Sequence, residues 1–190
     1  YLGIPPFESN DLIRKIRLRD GTPVYRFLRH GDYRADGPED LPAFLAPTHL
    51  DRLEQVGGSL SLFTHLGKPR QERTSAFLPR EADALSALAD RQREGRIWIA
   101  RTSRLLTHAM LRRSLRWRIE RAGETTRIVL LGVEDPVFEN VLPGPGDLAM
   151  LSFLCGRPES TEVWSNGKKL PTRAFRSASR DGTGLRIEAA

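Results

Sequence analysis

His65 is the side chain in this sequence with the clearest potential for acid–base chemistry. It ends an apolar stretch, Ser59 to His65, whose side chains alternate in the way that a β-strand requires. Leu60 and Leu62 fall on one face, and His65 falls on the other. An imidazole at the carboxyl end of a strand can serve as a general acid or base near neutral pH, and α/β folds collect their active sites at that end. A surface-loop histidine is the alternative.

Two further side chains are candidates for substrate binding. Arg29 ends the predicted strand Val24 to Arg29, so it occupies a position similar to that of His65. Trp98 lies in the predicted strand Arg96 to Ala100, and its indole could stack on a sugar ring. Trp117 and Trp164 could do the same, with packing in the core as the alternative for each.

The elements that must position these residues alternate through the first part of the chain. Predicted strands at 24–29, 59–65 and 96–100 are interleaved with predicted helices at 47–56, 80–94 and 103–113. This order is typical of a parallel sheet covered by helices. We therefore predict an α/β domain over residues 1–113, with a parallel sheet.

The pattern changes near Ser114, where short alternating segments separated by turns begin. Predicted strands lie at 126–131, 148–155, 173–179 and 185–187, and Asn166-Gly167 between two polar-apolar segments is a strong hairpin signal. We predict a small all-β, sandwich-like domain over residues 114–190.

Composition excludes several classes of protein. The formal charge is +6, yet residues 1–113 hold 19 basic and 14 acidic side chains and the remainder 11 and 10, so the charge is interspersed. No aromatic residues interleave a contiguous basic face, and nucleic-acid binding is not predicted. The single cysteine, Cys155, excludes an intrachain disulfide, and we expect it in the core. No segment reads as a membrane span or a targeting signal.

The segment from Gly57 to Gly67 resembles part of a known family. With the helix at 81–94, the strand at 95–100 and the helix that begins near Ser103, it is similar to the late part of the polysaccharide deacetylase (NodB-homology) family. The resemblance covers about residues 24–113. It implies that residues 1–113 form a partial, distorted β/α barrel, the late part of a deacetylase-like domain.

The resemblance implies a hydrolase that removes acetyl groups from C–N or ester bonds of a polysaccharide or glycoconjugate. It also implies a divalent metal, often zinc, held by an Asp and two His. By motif position His65 corresponds to the general acid, which would protonate the leaving group.

Two family motifs are missing from the sequence, since it contains no Asp-Asp pair and no two His spaced four apart. The metal ligands and the base are therefore not expected in this chain. One hypothesis is that it is the carboxyl-terminal fragment of a longer enzyme and is inactive alone. The alternative is a non-catalytic glycan- or protein-binding module centred on the β-sandwich, through Trp117 or Trp164. An envelope, extracellular or cytoplasmic location fits either hypothesis.

Overall fold

The structure of the chain is a computed structural model, which describes residues 12–27, 37–67, 74–135, 137, 139–141, 143–176 and 182–188. The chain divides into two compact units. The first comprises Tyr1–Leu12 and Phe27–Ala100, and the second comprises Ile13–Arg26 and Arg101–Ala190.

Three helices and one 3₁₀ turn form the regular structure described in the first unit. They are the turn Pro38–Asp40 and the helices α1 (Leu41–Phe44), α2 (Pro47–Val56) and α3 (Pro79–Arg93). Proline begins α2 and α3, where its missing N–H costs no hydrogen bond. Gly57 ends α2 in the left-handed region, with φ at 58°. The predicted helices at 47–56 and 80–94 are thus confirmed.

The core of this unit is built by apolar side chains from α1, α2 and α3 and from the segments next to them. The fully buried members are Leu41, Leu45 and Leu50, and Leu62, Phe77, Ala84, Leu85, Leu88 and Ile97 pack against them. Leu62 and Ile97 come from the two segments that the sequence predicts as strands, so both segments do bury apolar residues.

The predicted parallel sheet is nevertheless wrong. Residues 59–65 contain only an isolated bridge at Leu62, and residues 96–100 form no strand. The segment predicted at 24–29 does contain a strand, but it belongs to a two-stranded hairpin of β1 (Ile13–Arg17) and β2 (Pro23–Phe27). An apolar segment becomes a strand only where a neighbouring strand accepts its main-chain hydrogen bonds. The described residues contain several separate sheets and no closed barrel, and a partial, distorted β/α barrel is not the fold.

Helix α4 (Thr102–Ser114), as predicted, leads directly into the larger sheet of the second unit. The strands of this sheet are β3 (Leu115–Ala122), β4 (Thr125–Asp135), β5 (Glu139–Val141), β7 (Thr161–Ser165) and β8 (Lys168–Lys169). Their order is β3-β4-β7-β8, and β5 also pairs with β4. All pairs are antiparallel except β4 with β7, which is parallel. Asn166 and Gly167 have φ at 52° and 71° and turn the β7–β8 hairpin, as predicted.

A smaller antiparallel sheet completes the second unit. It consists of β6 (Ser152–Leu154), β9 (Thr172–Arg176) and β10 (Thr183–Ile187), in the order β6-β10-β9. Gly184 in β10 allows close packing, because a Cβ there would lie 2.4 Å from the carbonyl oxygen of Phe153 and 2.8 Å from the Phe175 ring. The short helix α5 (Pro145–Leu148) precedes β6.

The two sheets and α4 contribute to one hydrophobic core. Its fully buried members include Leu111 of α4, Ile128 and Leu130 of β4, Val163 of β7 and Ile187 of β10. The predicted small all-β sandwich is therefore also corrected, because a helix shares this core and the larger sheet is mixed. Parallel strands require a long crossover, and here residues 136–160 provide it.

Candidate functional site

The structure places His65 in an irregular segment rather than at the end of a parallel strand. Its imidazole is half-buried and packs edge to face against Phe63, with 4.8 Å between ring centroids. The geometric argument for a general acid depended on the strand end, so the described fold does not support it. The role that the resemblance implies for His65 stays a prediction.

The other two predicted site residues are Trp98 and Arg29. Trp98 is half-buried in the segment that follows α3, next to Ile97 of the first core. Arg29 lies outside the described residues. Their roles in substrate binding stay predictions.

The metal that the resemblance implies finds no set of ligands in the described part of the chain. No three His, Cys, Asp or Glu side chains there are grouped so that they could hold a metal ion. The described residues thus do not fit such a centre.

A concave site formed by described residues lies in the second unit, beside Trp117. It is a cleft of about 490 Å³, within the range of roughly 300–1,000 Å³ typical of ligand pockets. Apolar residues dominate its lining, and only four polar or charged residues take part. The lining residues are Leu111, Arg112, Leu115, Trp117, Ile119, Thr126, Ile128, Leu151, Ser152, Phe153, Leu154, Cys155 and Thr161.

The cleft exists because part of the core-facing side of β3 is uncovered. Trp117 pairs with Leu130 and Ile119 pairs with Ile128, and residues that face each other across two strands share a face. Ile128 and Leu130 are buried, whereas Trp117 remains 48% exposed and Ile119 remains 59% exposed. Side chains that point into a core are normally covered, so this exposure marks a place where a further layer is missing.

Strand β6 forms the opposite wall of the cleft. Phe153 meets Trp117 edge to face, with 5.9 Å between ring centroids. The position of β6 is set by the turn at Met150, whose φ of 74° is unusual for a residue other than glycine. The N–H of Met150 donates to the carbonyl of Ile187 at 2.9 Å, and His108 of α4 hydrogen-bonds to the Met150 main chain.

The charge at the cleft has one sign. Arg112 is the only ionisable basic or acidic side chain in its lining, and it is exposed. Within the described residues, Arg112 forms no ion pair. The charged side chain closest in sequence on β3, Arg116, pairs with Glu134 at 2.6 Å. The cleft is therefore apolar with a single cationic group.

The outer face of the larger sheet is chemically different. Arg127 lies over the Trp164 ring at 4.8 Å, and the Trp164 indole N–H donates to Glu162 at 2.9 Å. Lys169 donates to the same carboxylate at 2.7 Å, and its hydrogen bond is the main cause that lowers the pKa of Glu162. Trp164 is thus covered by its neighbours, and of the two tryptophans considered for ligand binding in this unit, Trp117 is the accessible one.

A buried polar cluster elsewhere in the second unit was not predicted from the sequence. The buried carboxylate of Asp135 accepts hydrogen bonds from the Tyr25 hydroxyl, from Ser114 Oγ at 3.1 Å and from the N–H of Val137 at 2.8 Å. Nearby, Arg113 donates to the carbonyl of Ile13 at 2.8 Å. These bonds join the β1–β2 hairpin to the ends of α4 and β4. No spacing signal could reveal them, because Tyr25 and Asp135 are 110 residues apart.

Comparison with known proteins does not assign the chain to a family. No family model matches the chain, and neither a curated protein nor a solved structure matches it. No helix in the described ranges has the length and apolar character that would carry it through a bilayer.

Proposed function

We propose that the second unit is a non-catalytic protein-binding module, and that its apolar cleft holds a segment of a partner protein. The observation that carries this proposal is the exposure of Trp117 and Ile119 on the core-facing side of β3. Exposed apolar patches beside a well-formed pocket are typical of protein–protein contact sites, and tryptophan is enriched among the residues that dominate binding energy.

The lining favours a polypeptide over a glycan. A sugar presents many hydroxyl groups, and a binding site must supply polar partners for those that lose water. The cleft offers Thr126, Thr161, Ser152 and Arg112 as polar groups against nine apolar residues. An apolar side chain of a protein segment loses no hydrogen bond on entering such a surface.

The test begins with selection of binders. The whole chain is immobilised and panned against a random library of displayed peptides, with a glycan panel applied in parallel. Selected peptides are then titrated by calorimetry against wild type, Ile119→Ser, Trp117→Ser and Leu131→Ser. Leu131 is the matched control, because it is a 50% exposed aliphatic residue on the outer face of the same sheet.

We expect Ile119→Ser and Trp117→Ser to weaken binding by about 30-fold each, the effect of a residue worth roughly 2 kcal/mol at an interface. Leu131→Ser should stay within about twofold of wild type. If no peptide is selected, or if the selected peptides bind all variants equally, the proposal is wrong. Trp117-dependent binding of glycans alone would also overturn it.

A further inference from the structure

The main-chain edge of β6 forms one wall of the cleft, opposite Trp117 and Ile119, and from this juxtaposition we propose how the partner binds. An extended segment of the partner adds as a fourth strand to the smaller sheet, on the free edge of β6. This inference rests on the proposed function, and it specifies the partner's conformation and residue pattern.

The lining shows that the cleft meets the edge of β6. Five consecutive residues, 151–155, line it. Because successive side chains of a strand point to opposite faces, one face of β6 could contribute only alternate residues. Consecutive residues line a cleft when the main chain itself forms the wall.

The hydrogen bonds of β6 show which main-chain groups face the cleft. On the side of β10, Cys155 N donates to Thr183 O at 3.0 Å, and Ile187 N donates to Leu151 O at 2.9 Å. Main-chain groups of successive residues alternate in direction in an antiparallel pair. Ser152 and Leu154 therefore direct their N–H and C=O groups to the other edge, where no strand of the described chain pairs with them.

Strand β3 contributes to the cleft in a different way. It supplies Leu115, Trp117 and Ile119, which are alternate residues, while Arg116 and Arg118 are absent from the lining. The cleft is thus bounded by one face of β3 and by the edge of β6. A segment that lies in it can pair with β6 and at the same time bury its side chains on Trp117.

This geometry defines the occupant. Only a polypeptide main chain supplies donors and acceptors at the spacing that Ser152 and Leu154 offer. A residue placed beside Phe153 shares its face and enters the cleft, so it should be large and apolar, and its neighbours on either side point away and can be polar. Arg112 and Leu115 mark one end of the cleft, because α4 passes there directly into β3. An acidic residue of the partner at that end complements the Arg112 charge.

The probes are two synthetic peptides of alternating Thr and Leu or Val, with Glu at the amino end in one and at the carboxyl end in the other. Each is made in two further forms that carry N-methyl groups on the Thr residues only or on the apolar residues only. A strand in a pair directs only alternate N–H groups to its neighbour. One methylation pattern should therefore weaken binding roughly tenfold more than the other, through the loss of two or more hydrogen bonds.

Two protein variants provide an independent arm. Leu154→Pro removes only the N–H that faces the cleft, a position where an edge strand tolerates proline, and Leu154→Ala keeps that N–H as the control. Binding should be at least about fivefold weaker in Leu154→Pro than in Leu154→Ala, which measures the loss of the side chain alone. If Leu154→Pro fails to fold by circular dichroism, the methylated peptides alone decide. Arg112→Glu should lower affinity by roughly two- to fivefold and be rescued by a Lys-containing peptide.

The outcomes separate this inference from the proposed function. Peptides that bind with dependence on Trp117, but equally in both methylation patterns, would overturn strand addition and leave the binding module standing. Absence of any peptide binding would overturn both. Dimerisation of the chain that is lost in Leu154→Pro, without peptide binding, would identify a second copy as the occupant and contradict a peptide partner.

Discussion

Trp117 and Phe153 meet edge to face at 5.9 Å between ring centroids, and they belong to two different sheets. Trp117 lies on β3 of the larger sheet, and Phe153 lies on β6 of the smaller one. Their contact is the point at which the shared core ends and the open cleft begins. Residues on the two sides of this point should respond differently to mutation.

Trp117→Ala should change stability much less than Leu111→Ala. Leu111 is 1% exposed, so its truncation leaves a cavity and should cost about 2–5 kcal/mol. Trp117 is already 48% exposed, so its truncation leaves no enclosed cavity, and the pair with Phe153 that it loses contributes roughly 0.5–1.5 kcal/mol beyond the buried area. Urea denaturation followed by circular dichroism measures both values. A loss of more than about 3 kcal/mol in Trp117→Ala would contradict its placement at an open cleft.

From the Tyr25–Asp135 hydrogen bond we predict that the stability of the protein declines at alkaline pH as Tyr25 loses its proton. Partial burial first, and the neighbouring Asp135 carboxylate second, raise the pKa of Tyr25 above its ordinary value. Because the folded phenol holds its proton more strongly than the unfolded one, its contribution to stability is complete below the ordinary pKa of about 10 and is lost as the pH rises through the folded value. Tyr25→Phe should cost about 1–3 kcal/mol at pH 8 and should remove this part of the alkaline decline.

The measurement for Tyr25 is urea denaturation at pH 8 and above pH 10 on wild type and Tyr25→Phe. Ser114→Ala is the matched control, since it removes another donor to the same carboxylate and keeps the phenol. Identical alkaline slopes in wild type and Tyr25→Phe would show that Tyr25 does not titrate differently in the folded state.

We predict that titration of His108 makes the protein less stable as the pH falls. Burial is the main cause that lowers its pKa, the Arg112 charge adds to it, and the hydrogen bond to the Met150 main chain opposes both. A lowered pKa in the folded state means that the unfolded chain takes up the proton first. The stability from neutral His108 is therefore present above the ordinary pKa of about 6.5 and is lost as the pH falls through the folded value.

His108→Gln should accordingly flatten the loss of stability between pH 7.5 and 5. The wild-type chain, measured under the same conditions, supplies the reference slope. Thermal unfolding across this pH range gives both slopes. A slope unchanged by His108→Gln would refute the assignment.

We predict that Arg91 and Arg93, two arginines of α3, differ in how much they contribute to stability. Its side chain is 11% exposed and bridges α3 to α2, through Asp51 at 2.7 Å and Glu54. Burial disfavours the ionised form of Glu54, but the hydrogen bonds from Arg91 and Arg96 outweigh it and lower the pKa of Glu54. Arg91→Met should destabilise the first unit by about 1–3 kcal/mol, because it leaves these carboxylates without their shared donor.

Arg93→Met is the control for Arg91, since Arg93 is 73% exposed and pairs with the exposed Asp90. Exposed ion pairs contribute little, so this variant should stay within about 0.5 kcal/mol of wild type. Urea is the suitable denaturant, because guanidinium would screen the charges. Equal losses in the two variants would contradict a bridging role for Arg91.

The helices could be predicted from local residue patterns. The sheets could not, because a strand forms only where a distant segment pairs with it. Helices α2, α3 and α4 follow from apolar spacing, with Pro47, Gly57 and Gly95 as end signals, and all of these signals act within a few residues. Residues 59–65 have the same alternation as a strand, yet a strand needs a distant partner, and among the described residues this segment forms only the bridge at Leu62. The cleft beside Trp117 could not be predicted from the sequence for the same reason, because it depends on distant parts of the chain. Alternation places Trp117 on an inward face, but only the small size of the other sheet leaves it uncovered.

The parallel pair β4–β7 has a consequence for the order in which the second unit folds. The β3–β4 hairpin closes over two residues, so it can form early at little cost in chain entropy. Registering Thr126 of β4 with Thr161 of β7 must wait until the intervening chain is placed, and that chain includes β6. Contacts of high sequence separation form slowly. The hairpin that carries Trp117 should therefore form before its counterpart Phe153 arrives, which leaves the indole exposed to aggregation during folding.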